Sequence, residues 1–226
     1  MDLSIVVPAH NESLNLKLLV PQLDTTLSTL EGEYEIIAVD NASTDDTQET
    51  LAVLTRRFPT VRGVYEPVKG FGSAILAGLA HARGEVIGYI HADNQMEAMD
   101  IVRIYQKLTQ ERLELCKATR MDRHDGVVRW VISRVYNTLF RFLFHVSLRD
   151  INGSPKLFTR QFFNQAGISS RDWFIDPEII IKAQRSGVRM GEVPIYTKPR
   201  EHGSSQVRAA TVVEFMKNMF RYWRKK

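Results

Sequence analysis

The chain has 226 residues, 44% of them hydrophobic and 25% charged, which allows one large domain or one domain with a helical appendage and is too apolar for disorder. Its single cysteine, Cys116, excludes an internal disulfide framework and a multi-cysteine zinc site, and it points to a reduced, cytoplasmic setting. No run of about 18 apolar residues is available to span a membrane unaided, and the opening MDLSIVVPAHNE lacks the basic start of a signal peptide. Charge is uneven: residues 1–100 hold 6 Lys and Arg against 15 Asp and Glu, whereas residues 101–226 hold 24 against 11. The second half therefore meets an anionic partner more readily than the first.

In chain order, LSIVVPA reads as a buried strand, and NESLNLKLLVPQLDTTLSTL follows with leucines near helical spacing. YEIIAVD is a strand, TDDTQETLAVLTRRF a helix, VRGVYEP a strand, GSAILAGLAHAR a helix and EVIGYIHAD a fourth strand. Such alternation predicts an open α/β sheet of mostly parallel strands flanked by helices, with ligands at the strands' carboxyl ends. That rule lines up Pro8–Glu12, Asp40–Asp46, Pro67–Gly72 and His91–Gln95 along one edge. Beyond residue 100 the pattern gives a helix over 101–112, the strand LELCKATR and a long apolar-rich helix over 127–146. DINGSPKLFTR reads as a loop and short strand, and a helix begins at Pro177 and stops at Gly187. The strand VRMGEVPIYT and a terminal helix, ATVVEFMKNMFRYWRKK, complete the chain.

Asp40 ends an apolar strand, where a carboxylate can accept from a ribose hydroxyl or a base edge. Capping is the other role open to it. The strand-end position favours the ligand role for Asp40 and leaves capping to Asn41, Ser43, Thr44 and Asp45. KGFGSAILAG lacks both the GxGxxG and the Gly-Lys-Ser/Thr spacing, but Lys69 puts a positive charge on that edge. His91-Ala92-Asp93-Asn94-Gln95 follows a buried run, and alternation along an extended segment sets His91, Asp93 and Gln95 on one side. Imidazole, carboxylate and amide oxygen suit Mn2+ better than Ca2+; a polar loop with Asp93 capping the next helix is the alternative. Arg129, Ser133, Asn137, Arg141 and His145 recur every four residues and draw one polar stripe along an otherwise apolar helix. Two arginines argue against a span, and an interfacial or packed helix fits better. The terminal FMKNMFRYWRKK mixes five Lys and Arg with aromatic residues, a composition suited to anionic membranes or to nucleic acids.

Together these pieces resemble the family 2 inverting glycosyltransferases of GT-A fold, and among them the polyprenyl-phosphate, dolichyl-phosphate mannose synthase-like branch. The matching segments are VVPAHNE, Asp40 with NASTDDT, KGFGSAILAG, ADNQ, ATR followed by RWVISR, DINGSPKLF, FIDPEI and EVPIYTKPREHGSS, from Leu3 to about Ser205. The resemblance implies a GT-A domain over 1–205, with a nucleotide-binding half (1–100) and an acceptor half (101–205), and a basic amphipathic helix over 206–226. It implies that Pro8, His10, Glu12, Asp40, Lys69, Ala92, Asp93, Gln95, Arg120, Arg200 and Ser204 hold the nucleotide sugar. Mn2+ or Mg2+ is expected on Asp93 and Gln95, with His91 standing where the family has its first Asp. Arg120, Arg129 and Ser133 are expected on the acceptor phosphate, Arg200 with Ser204 and Ser205 over the diphosphate, and Asp150 close to the acceptor; Asp93, Arg200 and Asp150 are the catalytic candidates.

The reaction this implies is transfer of a hexose, from a GDP- or UDP-linked sugar, to a polyprenyl phosphate in one inverting displacement. A phosphate monoester acceptor needs no strong base, whereas a hydroxyl acceptor needs a carboxylate, for which Asp150, Asp176 and Glu178 are available. The expected setting is cytoplasmic and peripheral to an anionic membrane at the inner face of the cell membrane, with an anchoring partner protein as one means of attachment. The alternatives are a soluble family 2 transferase acting on a saccharide hydroxyl and a non-catalytic nucleotide-sugar binder, the latter motivated by His91. Nucleic acid is not an expected partner, because the acidic first half repels a polyanion, and the missing GxGxxG disfavours a dehydrogenase.

Overall fold

The structure, a computed structural model, describes residues 1–122, 127–199 and 209–224, with backbone alone for 127–130 and 209–214. Strand β1 (Leu3–Ala9) is buried along its whole length because it pairs in parallel with both β2 (Tyr34–Asp40) and β4 (Val86–Tyr89). A strand covered on both faces carries a continuous apolar run rather than an alternating one. The seven strands lie in the order β3 (Val61–Tyr65), β2, β1, β4, β6 (Lys156–Thr159), β5 (Leu115–Arg120), β7 (Met190–Ile195). Only β6 runs against its neighbours, antiparallel to both β4 and β5.

Period-two alternation along β1 and β2 divides the core into two layers. Ile5, Val7, Ile36 and Ala38 face α1 (Ser13–Leu27), α2 (Thr47–Arg57) and α4 (Ala98–Gln110). Val6, Ile37 and Val39 face the opposite layer, built from α3 (Phe71–His81), α5 (Val127–Phe144), α7 (Ile175–Arg185) and α8 (Ala209–Arg224). Gly78 lets α3 sit close on the sheet: a Cβ there would lie 2.4 Å from Val6 Cγ1.

Three features differ from the sequence reading. Helix α7 begins at Ile175, two residues before Pro177, because proline is tolerated in a first helical turn. A short helix, α6 (Arg160–Ala166), was not expected; Thr159 Oγ1 accepts from Phe162 N at 3.2 Å and Gly167 ends it in the left-handed region. Strand β4 stops at Tyr89, so the segment after it turns instead of staying extended.

Helix α8 is docked on the domain. Met219 is buried, Tyr222 Oη donates to Glu178 Oε1 at 2.8 Å, Asn218 Nδ2 donates to Asp172 Oδ2 at 3.1 Å, and Arg185 Nη2 donates to the Tyr222 carbonyl at 2.7 Å. Among the described residues, no helix is long and apolar enough to cross a membrane.

Candidate active site

The carboxyl ends of β1 and β2 lie side by side, with Ala9 opposite Asp40. His10 Nδ1 meets the Asn41 carbonyl at 2.8 Å, and Asn11, in the left-handed region, accepts from Thr44 N at 2.8 Å while its own amide donates to Ser43 Oγ at 2.9 Å. Glu12 N donates to Thr47 Oγ1 at 3.0 Å. These bonds staple the two loops into one wall that carries Pro8, His10, Glu12 and Asp40. Asp40 is buried, and its Oδ1 accepts from Ser43 N at 3.1 Å, which fixes the carboxylate at the strand end.

Asn41, expected to be a cap, is instead a strut. Its Nδ2 donates to the Glu66 and Val68 carbonyls at 3.1 and 2.8 Å, and its Oδ1 accepts from Gly70 N at 2.8 Å. Residues 66–70 are thereby held against this wall, with Lys69 exposed on them. Gly72 then passes so close to the next loop that a Cβ would lie 2.3 Å from the Ser170 carbonyl. Phe71 stacks on Trp173 at 4.4 Å and meets the His91 ring edge-on at 4.9 Å.

The extended alternation expected for His91, Asp93 and Gln95 is corrected by the structure. Residues 92–93 form a turn, Asn94 takes φ 55°, and Asp93 Oδ1 accepts from Gln95 N at 3.3 Å. An Asp side chain bonding two residues on, beside an Asn in the left-handed region, is a turn that local hydrogen bonding stabilises over a strand. Asp93 does not cap α4 either: Asp100 Oδ2 accepts from Glu97 N there at 3.1 Å. Gln95 Nε2 donates to the Lys198 carbonyl at 3.3 Å, and Lys198 N donates to the Gln95 carbonyl at 2.8 Å.

Whether a divalent ion fits can be judged from His91. Its Nε2 is shut from solvent and has no hydrogen-bond partner among the described residues. Burial pushes the imidazole pKa below its ordinary 6.5, against the opposing charges of Asp93 and Asp176, so the ring is neutral near pH 7, the form that ligates metals. Among the described residues no third His, Cys, Asp or Glu joins His91 and Asp93 in a metal-ligating cluster. A divalent ion held by His91, Asp93 and Gln95 would have to take the rest of its shell from water and a bound ligand.

Behind this edge lies a network of buried charge. Lys156 Nζ and Tyr89 Oη both donate to Asp176 Oδ1 at 2.5 Å. Lys156 also reaches the Ile151 carbonyl at 3.3 Å; burial pushes its pKa down while Asp176 pulls it back. Lys117 Nζ donates to the Asp150 carbonyl at 2.6 Å and to Glu192 Oε1 at 2.9 Å. Burial raises the Glu192 carboxyl, but Lys117 and Thr119 outweigh it and hold the pKa below the ordinary 4.5. Arg120 grips Asp150 with two prongs, Nε to Oδ2 at 2.7 Å and Nη2 to Oδ1 at 3.0 Å. Glu178 is fully buried and accepts from Ser169 N, Ser170 N and Tyr222 Oη, with Lys182 beside it at 2.9 Å.

On α5, Ser133 is half-buried and bonded to Asn137. The structure thus gathers Pro8, His10, Glu12, Asp40, Lys69, Ala92, Asp93 and Gln95 along the strand-end edge, and Arg120 with Asp150 beside the buried network. Arg200, Ser204 and Ser205 lie outside the described residues, as does the Arg129 side chain. Sequence reasoning missed Asn41, Tyr89, Lys117 and Lys156. Lysines inside apolar strands, Lys117 in LELCKATR and Lys156 in KLFT, were the available signal, since a charge inside a buried strand needs a partner.

The chain belongs to glycosyltransferase family 2: residues 4–167 match the family described as Glycosyl transferase family 2. Its relatives include two dolichyl-phosphate beta-glucosyltransferases of Trichomonas vaginalis. ALG5A is 30% identical over 85% of this chain and 64% of its own length, and ALG5C is 27% identical over 93% and 67%. The chain thus spans about two thirds of the length of these relatives. Among solved structures, glucosyl-3-phosphoglycerate synthase from Mycobacterium tuberculosis, in complex with Mn2+, UDP and phosphoglyceric acid, superposes with a TM-score of 0.76 at 18% identity, covering 98% of this chain and 78% of that one. That likeness establishes the GT-A fold.

Proposed function

We propose that the chain transfers a hexose from a nucleoside-diphosphate sugar to a polyprenyl phosphate at a membrane surface, inverting the anomeric carbon. The observation that carries this reading is the state of the three acceptor-side carboxylates. Asp150 is gripped by Arg120, Asp176 by Tyr89 and Lys156, and Glu178 by backbone amides, Tyr222 and Lys182. A carboxylate engaged in this way is poorly placed to take a proton from a hydroxyl. A phosphate monoester needs no base, because its second pKa of about 6 leaves it dianionic near neutral pH. The dolichyl-phosphate relatives favour the same acceptor.

In this reading a phosphate oxygen attacks the anomeric carbon while the bond to the diphosphate breaks on the opposite face, its electron pair leaving with the nucleoside diphosphate. Pro8, His10, Glu12 and Asp40 hold the nucleotide, Ala92 lines the turn beside it, and Lys69 faces the diphosphate. Arg120 and Ser133 hold the acceptor phosphate, with Arg129 on the same helix, while Arg200 and Ser204 are assigned to the diphosphate from the sequence. Asp150 orients Arg120. His91, Asp93 and Gln95 would hold Mn2+ or Mg2+, which neutralises charge developing on the leaving diphosphate.

The membrane contact rests on two faces. Val131, Ile132, Val135 and Phe142 are exposed on α5 beside Arg134 and Arg141, and Phe220 and Trp223 are exposed on α8 beside Lys217, Arg221 and Arg224. Apolar side chains set among cations suit an anionic lipid surface. The deciding experiment is transfer of radiolabelled sugar, from a panel of UDP- and GDP-sugars, to a polyprenyl phosphate with Mn2+ and then with EDTA. Label that moves into organic solvent and disappears with EDTA is the expected result; transfer to soluble saccharides alone would overturn the reading.

A further inference from the structure

We infer that Asn137 is a positioning residue of the acceptor site, holding the Ser133 hydroxyl in register with Arg120 so that both face one phosphate. The inference rests on the polyprenyl-phosphate reading above and adds to it a residue that neither the motif nor the spacing assigned.

Asn137 lies in the middle of α5 and uses both ends of its amide. Its Oδ1 accepts from Ile151 N at 3.0 Å, and its Nδ2 donates to Ser133 Oγ at 3.2 Å, one turn back along the helix. Ile151 follows Asp150 directly, and Asp150 holds Arg120 through both of its carboxylate oxygens. The Asp150 carbonyl is itself fixed by the buried Lys117. One continuous hydrogen-bonded chain therefore runs from Ser133 on α5, through Asn137 and the 150–151 backbone, to Arg120 at the end of β5.

Two consequences make this chain more than packing. The apolar anchors of α5, Phe140 and Phe144, are buried near its C-terminal end, whereas Val131, Ile132, Arg134 and Val135 towards the other end are exposed. Tyr136 packs this half edge-on against Phe215 at 5.6 Å, and the Asn137 bond to the loop adds the polar tie that fixes the turn carrying Ser133. Moreover, an amide N–H donating to Ser133 Oγ occupies one of that oxygen's two lone pairs and leaves the serine hydrogen to act as a donor. A hydroxyl donor, tied through this chain to a guanidinium whose orientation is fixed, supplies with it the pairing a phosphate takes. The missing signal in the sequence is plain: an asparagine within a five-residue polar stripe looks like any solvated polar position.

The test is a double-mutant cycle on the full chain, with KM for polyprenyl phosphate and for the nucleotide sugar measured separately. Asn137→Ala is expected to raise KM for the lipid phosphate about fivefold to tenfold, the equivalent of one lost hydrogen bond, with KM for the donor unchanged. In a Ser133→Ala background the same substitution is expected to add little, because Asn137 acts through Ser133. If Asn137→Ala does not fold, Asn137→Ser takes its place in the cycle. Equal loss toward both substrates, or a full additive effect in the Ser133→Ala background, overturns the inference while leaving the functional reading intact. Absence of lipid label with the unaltered chain overturns both.

Discussion

Arg120 and Asp150 meet through two parallel hydrogen bonds, of 2.7 and 3.0 Å, across the gap between the end of β5 and the loop before β6. The carboxylate side chain is almost wholly buried and the guanidinium about one quarter exposed, so the pair joins the interior to the open edge of the site. A third bond, from Arg120 N to Asp150 Oδ2 at 3.3 Å, closes the arrangement.

Breaking this pair is expected to be costly. Asp150→Ala leaves a guanidinium without its carboxylate and is expected to lower stability by roughly 3 kcal/mol, read from urea unfolding. Asp150→Asn keeps one acceptor oxygen and is expected to fall between the two. An Asp150→Ala protein as stable as the parent would remove the pair from the account of the fold.

Gly78 offers a test of the α3–sheet packing. A methyl group there meets Val6 and Val39 at 2.4 to 3.0 Å, so Gly78→Ala overpacks the layer. The expected loss is about 1–3 kcal/mol, visible as a lower thermal midpoint, even though alanine is the better helix former.

Acid sensitivity follows from three glutamates. Burial raises the carboxyls of Glu35, Glu178 and Glu192, but their hydrogen bonds and neighbouring cations outweigh it and hold each pKa below the ordinary 4.5. The unfolded chain then binds more protons than the folded one as pH falls through that region. Their stabilisation is present above pH 4.5 and is lost as pH drops through the folded-state values. Denaturant midpoints measured from pH 6 down to pH 3 should fall, and Glu178→Gln should flatten the slope; an unchanged slope would remove Glu178 from the cause.

Metal dependence is assigned to Asp93. Asp93→Asn is expected to weaken Mn2+ binding by tenfold or more, on the order of 1.4 kcal/mol, read from the electron paramagnetic resonance signal of free Mn2+, and to reduce metal-dependent transfer in parallel. Full metal-dependent transfer by Asp93→Asn would end that assignment.

On the proposed membrane face, Phe142 is the most exposed large apolar side chain among the described residues, at 76%. Phe142→Ser combined with Trp223→Ser is expected to reduce flotation with anionic vesicles and to lower the unfolding midpoint only slightly, because Phe142 is 76% and Trp223 41% exposed in the free chain. Undiminished flotation would place the contact elsewhere.

The first hundred residues were legible because buried parallel strands and amphipathic helices leave strong periodic marks, and every strand from β1 to β4 falls where the apolar runs are. The reversal of β6 was not legible, since KLFT is the same short apolar run in either direction. The HADNQ segment misled for a local reason: alternation presumes an extended chain, and a side chain that bonds its own backbone takes the chain out of that state. Strand ends and motif segments pointed to the residues that line the strand-end edge. The internal supports of the site, Asn41, Lys117 and Lys156, depend on pairings across the sheet that no short window contains.

The polarity of β6 has its own consequence for how such a site can change. A strand running against its neighbours starts where they finish, and Lys156 accordingly lies opposite Tyr89 on one side and Lys117 on the other. Its entry loop, residues 150–155, therefore opens on the reactive edge, while its exit toward α6 opens on the far edge. Asp150, Ile151, Gly153, Ser154 and Pro155 are all buried in that loop, so a change at this edge has to be accommodated within packed structure. One reversed strand thus brings a buried loop to the edge where the parallel strands end.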